Sequence, residues 1–264
     1  MDKPMTVREL IAWGARQFEQ RELVYGHGTD NALDEAASLV LNALDIGYDQ
    51  PDSILDTVPA AAGLKRAQAL LAARMESRKP AAYLINEAWF AGRPFYVDER
   101  VLVPRSPIAE LIEARFEPWI NPDRVVAILD LCTGSGCIGI SCAHAFPAAT
   151  VTASDISAGA LAVAEENARR HAVDSRMRII ESDLFDGLSA DSYDIIVSNP
   201  PYVPRGEYAA LDEEFRHEPG LGLVAGDDGL DIVIRILRDA ADFLRPGGIL
   251  VVEVGYTSEI LIAR

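Results

Sequence analysis

The stretch ILDLCTGSGCIGI, Ile128–Ile140, decides the fold. Apolar residues lead to Asp130 and Leu131, a Thr-Gly-Ser-Gly turn follows, and apolar residues resume with Gly139 among them. This reads as a strand, a glycine-rich turn and the first turn of a helix. Gly134, Gly136 and Gly139 spell G-x-G-x-x-G, and Asp155 closes the next apolar run, TVTASD, 21 residues after Gly134. Glycines let a backbone come close to a ligand, and a carboxylate at the second strand end can accept two ribose O–H bonds. The loop therefore points to a nucleoside cofactor, against the plainer reading of a tight turn that only packs a helix on its strand.

Outward from the loop, strands and helices alternate. VVAILDL, TVTASD, RMRII, YDIIVSN and GILVVEV are strand-like, and helices are predicted over 136–145, 157–171 and 229–244. Apolar strands separated by helices predict an α/β domain on a parallel sheet with right-handed crossovers. Before it, TVRELIAWGARQFEQREL places Val7, Leu10, Ile11, Gly14 and Phe18 on one stripe. TDNALDEAASLVLNALDIG and GLKRAQALLAARMESRKP add two further helices. EAWFAGRPFYVDERVLVPR alternates about Gly92-Arg93-Pro94 and reads as a β-hairpin. A helix follows with Ser106 as N-cap and Pro107 at its first position. The expected organisation is a helical N-terminal domain over 1–86, a hairpin connector over 87–105, and a cofactor-binding domain over 106–264.

The totals narrow the function classes. The 264 residues carry a net charge of −17, of which residues 121–264 hold −12. Such a surface repels nucleic-acid backbones, so direct DNA binding is not expected, and it favours basic partners or simply solubility. Cys132, Cys137 and Cys142 form no C-x-x-C pair, and the histidines at 27, 144, 171 and 217 are scattered. Disulfides and metal sites are not expected, and a cytoplasmic setting is. No apolar run has the roughly 18 residues of a membrane span, and the charged N-terminus is unlike a signal peptide.

The glycine loop by itself leaves NAD and S-adenosylmethionine open. Two features favour the second. A dinucleotide needs the helix N-terminus free for its pyrophosphate, whereas Asp130 in the strand's last turn suits a cofactor bearing a sulfonium and an ammonium. The other feature is DIIVSNPPYVP, Asp194–Pro204, where the fourth strand runs into two prolines. An amide nitrogen is a poor nucleophile because its lone pair is delocalised. Methylating it requires acceptors that hold both N–H groups and aim the lone pair. Asn199 offers a side-chain carbonyl, Pro200 a backbone carbonyl that Pro200 and Pro201 stiffen, and Tyr202 a flat face. A stiff loop after a strand would be the plain alternative.

With TGSG, Asp155, NPPYV and EFRHEPGLGLVAGDDGLD in place, the chain resembles the amino-group methyltransferases that use S-adenosylmethionine. Among these it is similar to the glutamine methyltransferases of translation proteins. VLVPRSPIAELI, Val101–Ile112, looks like the branch that acts on the third protein of the large ribosomal subunit rather than on peptide release factors. The resemblance implies a Rossmann-like methyltransferase domain whose Cys132, Thr133, Gly134, Ser135 and Gly136 line the methionine end of the cofactor. It implies further that Asp155 takes the ribose, that Asp183 and Leu184 flank the adenine, and that Asn199, Pro200, Pro201 and Tyr202 hold the glutamine. Asn199 would also border the cofactor. The acids at 212, 213, 214 and 218 offer a match for a basic ribosomal protein, or a solvated charge run. Family members usually continue past the fifth strand, so the sheet is expected to lack its C-terminal strands and to expose an edge. Competing readings are a methyltransferase for amino groups of DNA or RNA bases, a nicotinamide oxidoreductase, and a silent assembly factor.

Overall fold

The computed structural model describes residues 5–188 and 192–262. The chain divides into two compact units, Met1–Glu87 with Asp212–His217, and Ala88–Leu211 with Glu218–Arg264.

In the first unit, α1 (Val7–Gln20), α2 (Ala32–Ala43), α3 (Ala61–Ser77) and the short α4 (Ala81–Ile85) are the α-helices. A capping box starts α1: the Glu9 N–H donates to Thr6 Oγ1 at 3.2 Å, and the Thr6 N–H to Glu9 Oε2 at 2.9 Å. The α1 stripe Val7, Leu10, Ile11, Gly14 and Phe18 is buried, with Leu39 of α2 and Leu71 of α3 in the same core. Each of the Val, Leu, Ile and Phe side chains removed from water contributes about 1.5–3 kcal/mol. That core also holds a charge. Arg74 of α3 is fully buried and donates through Nε to Glu35 at 3.1 Å. The segment 212–217 brings Glu214, also buried, whose Oε1 accepts from the Val24 N–H at 3.0 Å and from Arg78 at 2.8 Å.

The second unit opens with a minimal hairpin, β1 (Ala88–Phe90) against β2 (Arg93–Phe95). It continues through α5 (Ile108–Glu113), β3 (Ala127–Leu131), α6 (Cys137–Ala145), β4 (Thr150–Asp155), α7 (Ala158–Arg170), β5 (Met177–Glu181) and β6 (Tyr193–Ser198). Then come α8 (Arg205–Tyr208), α9 (Asp231–Asp239), β7 (Leu244–Val252) and α10 (Ser258–Ile262). The strands form one parallel sheet in the order β5-β4-β3-β6-β7. Strand order reverses between β3 and β6, the place where ligands bind beyond the carboxyl ends of such sheets. The glycine loop leaves β3 and the Asn-Pro-Pro-Tyr segment leaves β6. Both chemical motifs of the sequence therefore emerge side by side.

The sheet is buried at its centre, where Ile128, Leu129, Leu131, Ile195, Ile196 and Val197 are enclosed, while the edge strands β5 and β7 are partly exposed. Two boundaries differ from the sequence expectation. The hairpin strands have three residues each, and the helix predicted over 229–244 is α-helical only over Asp231–Asp239, with a 3₁₀ turn at Ala240–Phe243. No helix among the described residues is long and apolar enough to cross a membrane.

Candidate active site

A cavity lies at the carboxyl end of β3, β4 and β6, wholly within the second unit. Cys132, Thr133, Gly134, Ser135, Asp155, Asp183, Leu184, Asn199 and Pro201 line it. Gly134 has φ +54°, and a Cβ built there meets no atom within 4 Å, so it would project into open space. A side chain would fill room that a ligand needs. Cys132 (φ +57°) and Leu184 (φ +51°) hold the same left-handed conformation without being glycine. Strained backbone of this kind costs about 1–3 kcal/mol and gathers at ligand sites.

Asp155 stands at the end of β4 with both oxygens oriented. Oδ2 accepts the Gly134 N–H and Oδ1 the Ser157 N–H, each at 2.9 Å. A carboxylate has further lone pairs, so two ribose hydroxyls can still be accepted. Burial raises the Asp155 pKa above the ordinary carboxylate value, against the opposing pull of its backbone hydrogen bonds. Asp183 forms an ion pair at 3.0 Å with Arg235 of α9, another residue of the cavity wall.

Asp130 sits elsewhere than expected. It is fully buried beneath the loop, and Oδ2 accepts from Thr133 Oγ1 at 2.5 Å and from the Gly139 N–H at 2.9 Å. Its Oδ1 has no hydrogen-bond partner among the described residues. A Cβ at Gly139 would lie 2.9 Å from Asp130 Oδ2, so the glycine makes room for this carboxyl. Burial pushes its pKa up to about 7. The residue thus ties strand, loop and helix together from below, where the sequence reading had set it beside the cofactor's positive charge. Gly136, Pro200 and Tyr202 also stand behind the wall formed by their neighbours. Gly136 caps α6 with φ +80°.

Arg105, Ser106 and Glu253 were not foreseen as partners of the expected site residues. The Asn199 side-chain nitrogen lies 3.5 Å from the Arg105 carbonyl oxygen, which leaves the Asn199 carbonyl for a ligand. Arg105 makes a two-pronged pair with Glu218, at 2.7 and 2.6 Å, and Glu218 also accepts the Val103 N–H at 3.0 Å. Glu253, just past β7, accepts from Ser106 Oγ at 2.6 Å and from Tyr202 Oη at 3.1 Å. Two of the four acids of the long loop, Glu214 and Glu218, are therefore spent on internal arginines, and only Asp212 and Glu213 are exposed.

The wall offers little for covalent or acid–base chemistry. Burial pushes the Cys132 and Cys137 thiols up to about 12, and burial followed by the charge of Glu253 raises the Tyr202 phenol to about 12. All three are neutral near pH 7. What remains is positioning: the glycine loop, Asp155 and Asn199 line one cavity.

A parallel sheet in this order, with a glycine loop, an acid at the second strand end and Asn-Pro-Pro-Tyr at the fourth, defines an S-adenosylmethionine-dependent methyltransferase. The family model of the Methyltransferase small domain matches residues 119–217. The chain is 50% identical over 262 residues to the ribosomal protein uL3 glutamine methyltransferase of Xanthomonas campestris, covering 99% of this chain and 84% of that protein. It is 44% identical over 258 residues to the protein of that name from Francisella tularensis, covering 97% and 82%. With that of Bordetella pertussis it shares 45% over 252 residues, covering 95% and 85%. The chain belongs to the ribosomal protein uL3 glutamine methyltransferase family.

Proposed function

We propose that this protein transfers a methyl group to the side-chain amide nitrogen of a glutamine in ribosomal protein uL3, in the cytoplasm. The observation that carries the reading is Asn199. It borders the same cavity as Gly134 and Asp155, and its amide nitrogen faces the Arg105 carbonyl, so its own carbonyl can accept from a substrate amide. S-adenosylmethionine, when bound, would supply an electrophilic methyl carbon on a sulfonium, its transfer leaving neutral S-adenosylhomocysteine and one amide proton that passes to water. Asp155 and the Cys132–Ser135 loop would hold it, with Asp183 and Leu184 at its far end. Asn199 takes an N–H group of the glutamine and turns its lone pair toward the methyl carbon, while Pro200, behind the cavity wall, stiffens the loop. Tyr202 fixes the loop that carries them. Because the thiols and the phenol of this site are held protonated, the residues act by orientation and not as nucleophiles. The net charge of −17, with Asp212 exposed and Glu213 exposed beside Arg78, favours a basic substrate protein.

The test is transfer of labelled methyl from S-adenosylmethionine to purified bacterial translation components. Label at one glutamine of uL3 is the expected result. Label confined to release factors or to nucleic acid would overturn the substrate assignment.

A further inference from the structure

Glu253 belongs to none of the motifs that mark the site, yet it joins two of its loops. It follows the last residue of β7, and its own N–H donates to the Ser198 carbonyl at 3.0 Å, immediately before Asn199. Its backbone is thereby locked in register with the strand that delivers Asn-Pro-Pro-Tyr. The side chain then reaches two hydroxyls that are 147 and 51 residues away in sequence, Ser106 on Oε2 and Tyr202 on Oε1. The Ser106 bond, at 2.6 Å, has the short length of a charge-assisted O–H···O⁻ contact. Ser106 adjoins Arg105, whose carbonyl faces the Asn199 amide and whose guanidinium is held by buried Glu218. Tyr202 is confined from a third side. A Cβ on Gly255 (φ +53°) would come within 2.7 Å of its ring, so only glycine lets the backbone approach so closely.

We propose that Glu253 is a positioning residue of this active site: by bridging the hydroxyls of Ser106 and Tyr202 it fixes the loop before α5 and the Asn199–Tyr202 loop in one arrangement, and so aims Asn199 at the substrate amide. Glu253 touches neither cofactor nor glutamine in this role. It acts through the Arg105 carbonyl on one side and the Tyr202 ring on the other. The proposal rests on the methyl-transfer reading above, and the experiment separates the two.

The full chain is compared with Glu253→Ala, Glu253→Gln and the double variant Ser106→Ala/Tyr202→Phe. Methyl transfer to uL3 and binding of S-adenosylhomocysteine by calorimetry are measured for each. A fluorine NMR spectrum is recorded with 3-fluorotyrosine at position 202, omitted for the double variant. Glu253→Ala should lower kcat about 10- to 100-fold, the usual cost of displacing a positioning contact by an ångström. KM should change by less than about threefold, since the lost contact aims the substrate rather than holding it. Cofactor-product affinity should stay within about twofold, because Glu253 is outside the cavity wall. Glutamine keeps one acceptor and offers a donor to the other hydroxyl oxygen, so Glu253→Gln should regain most of the rate. The double variant should match Glu253→Ala. The fluorine resonance should move toward that of free fluorotyrosine in the alanine variant and stay near its parent position in the glutamine one.

An unchanged kcat in Glu253→Ala would overturn the proposal. So would a glutamine variant no faster than the alanine variant, or cofactor affinity falling in step with kcat. If the parent protein methylates nothing, the functional reading fails first. The fluorine spectrum then judges Glu253 alone, and an unmoved resonance in Glu253→Ala overturns it.

Discussion

Replacing Asp130 by asparagine should remove a pH dependence from the stability of this protein. The carboxyl is fully buried, and burial lifts its pKa from 3.8 to about 7. An acid whose pKa is higher in the folded than in the unfolded state favours folding in its protonated form. The associated stability is complete below pH ~3.8 and is lost as pH rises through about 7. The difference of roughly three pH units corresponds to about 4 kcal/mol, lost at ~1.4 kcal/mol per pH unit in between. Asparagine can place its carbonyl where Oδ2 lies and accept from both Thr133 and Gly139. Its NH₂ then occupies the Oδ1 position, which has no hydrogen-bond partner among the described residues. That orphaned donor costs about 1–3 kcal/mol, but equally at every pH. Asp155, whose pKa is also raised by burial, titrates in both proteins and largely cancels in their difference. Urea unfolding from pH 5.5 to 8 should show the parent losing ~2 kcal/mol relative to Asp130→Asn between pH 5.5 and 7, and little more above that. Parallel stability curves across the range would refute the reasoning. They would mean that water reaches Asp130 or that its carboxyl titrates normally.

Two substitutions should separate the two halves of the cavity. Asn199→Ala should retain S-adenosylhomocysteine affinity within about threefold in calorimetry while kcat falls at least ~100-fold, because only the amide-holding group is lost. Asp155→Ala should weaken that affinity at least ~10-fold, since a carboxylate hydrogen bond is worth about 1.5–3 kcal/mol. In the first unit, Arg74→Ala leaves Glu35 and Glu214 buried without their shared cation, and urea unfolding should show a loss of about 3–5 kcal/mol.

The sheet was legible because each central strand is a short apolar run that ends at a distinctive feature: the glycine loop after Leu131, Asp155, and Ser198-Asn199. The α/β alternation predicted a parallel sheet but no strand order; the order β5-β4-β3-β6-β7 puts the switch point between β3 and β6 and so brings the two motifs together. The hairpin was overestimated because YVDERVLVPR alternates like a strand, yet the N–H groups of Tyr96, Arg100, Val101 and Val103 bond to side chains or within a local turn, as from Val101 to the Asp98 carbonyl at 3.1 Å, and not to a partner strand. The Tyr96 N–H donates to Asn167 Oδ1 at 2.8 Å and the Val103 N–H to Glu218. The helix expected to have Ser106 as N-cap begins one residue later, at Ile108 with Pro107 in the cap position; the Ser106 Oγ accepts from the Ile108 N–H at 3.2 Å and donates to Glu253. No local pattern reveals such a partner, since Glu253 is one of 41 acids and lay inside an apparently ordinary strand. The available signal was its place at the carboxyl end of the strand next to β6. Asp130 misled because a carboxylate beside a glycine loop has the same spacing whether it faces up to a ligand or down into the core.

The membership of residues 212–217 in the helical unit sets a limit on how the protein can be dissected. A fragment ending at Glu87 would contain every α-helix of that unit and still lack Glu214. The Val24 N–H, Arg78 and Arg74 would each lose an acceptor or a counter-ion that arrives from 127 residues beyond the cut. The helices are thus contiguous in sequence without being self-sufficient. Transplanting them onto another catalytic domain would require carrying the six-residue segment with them, as a second graft at a separate point in the chain.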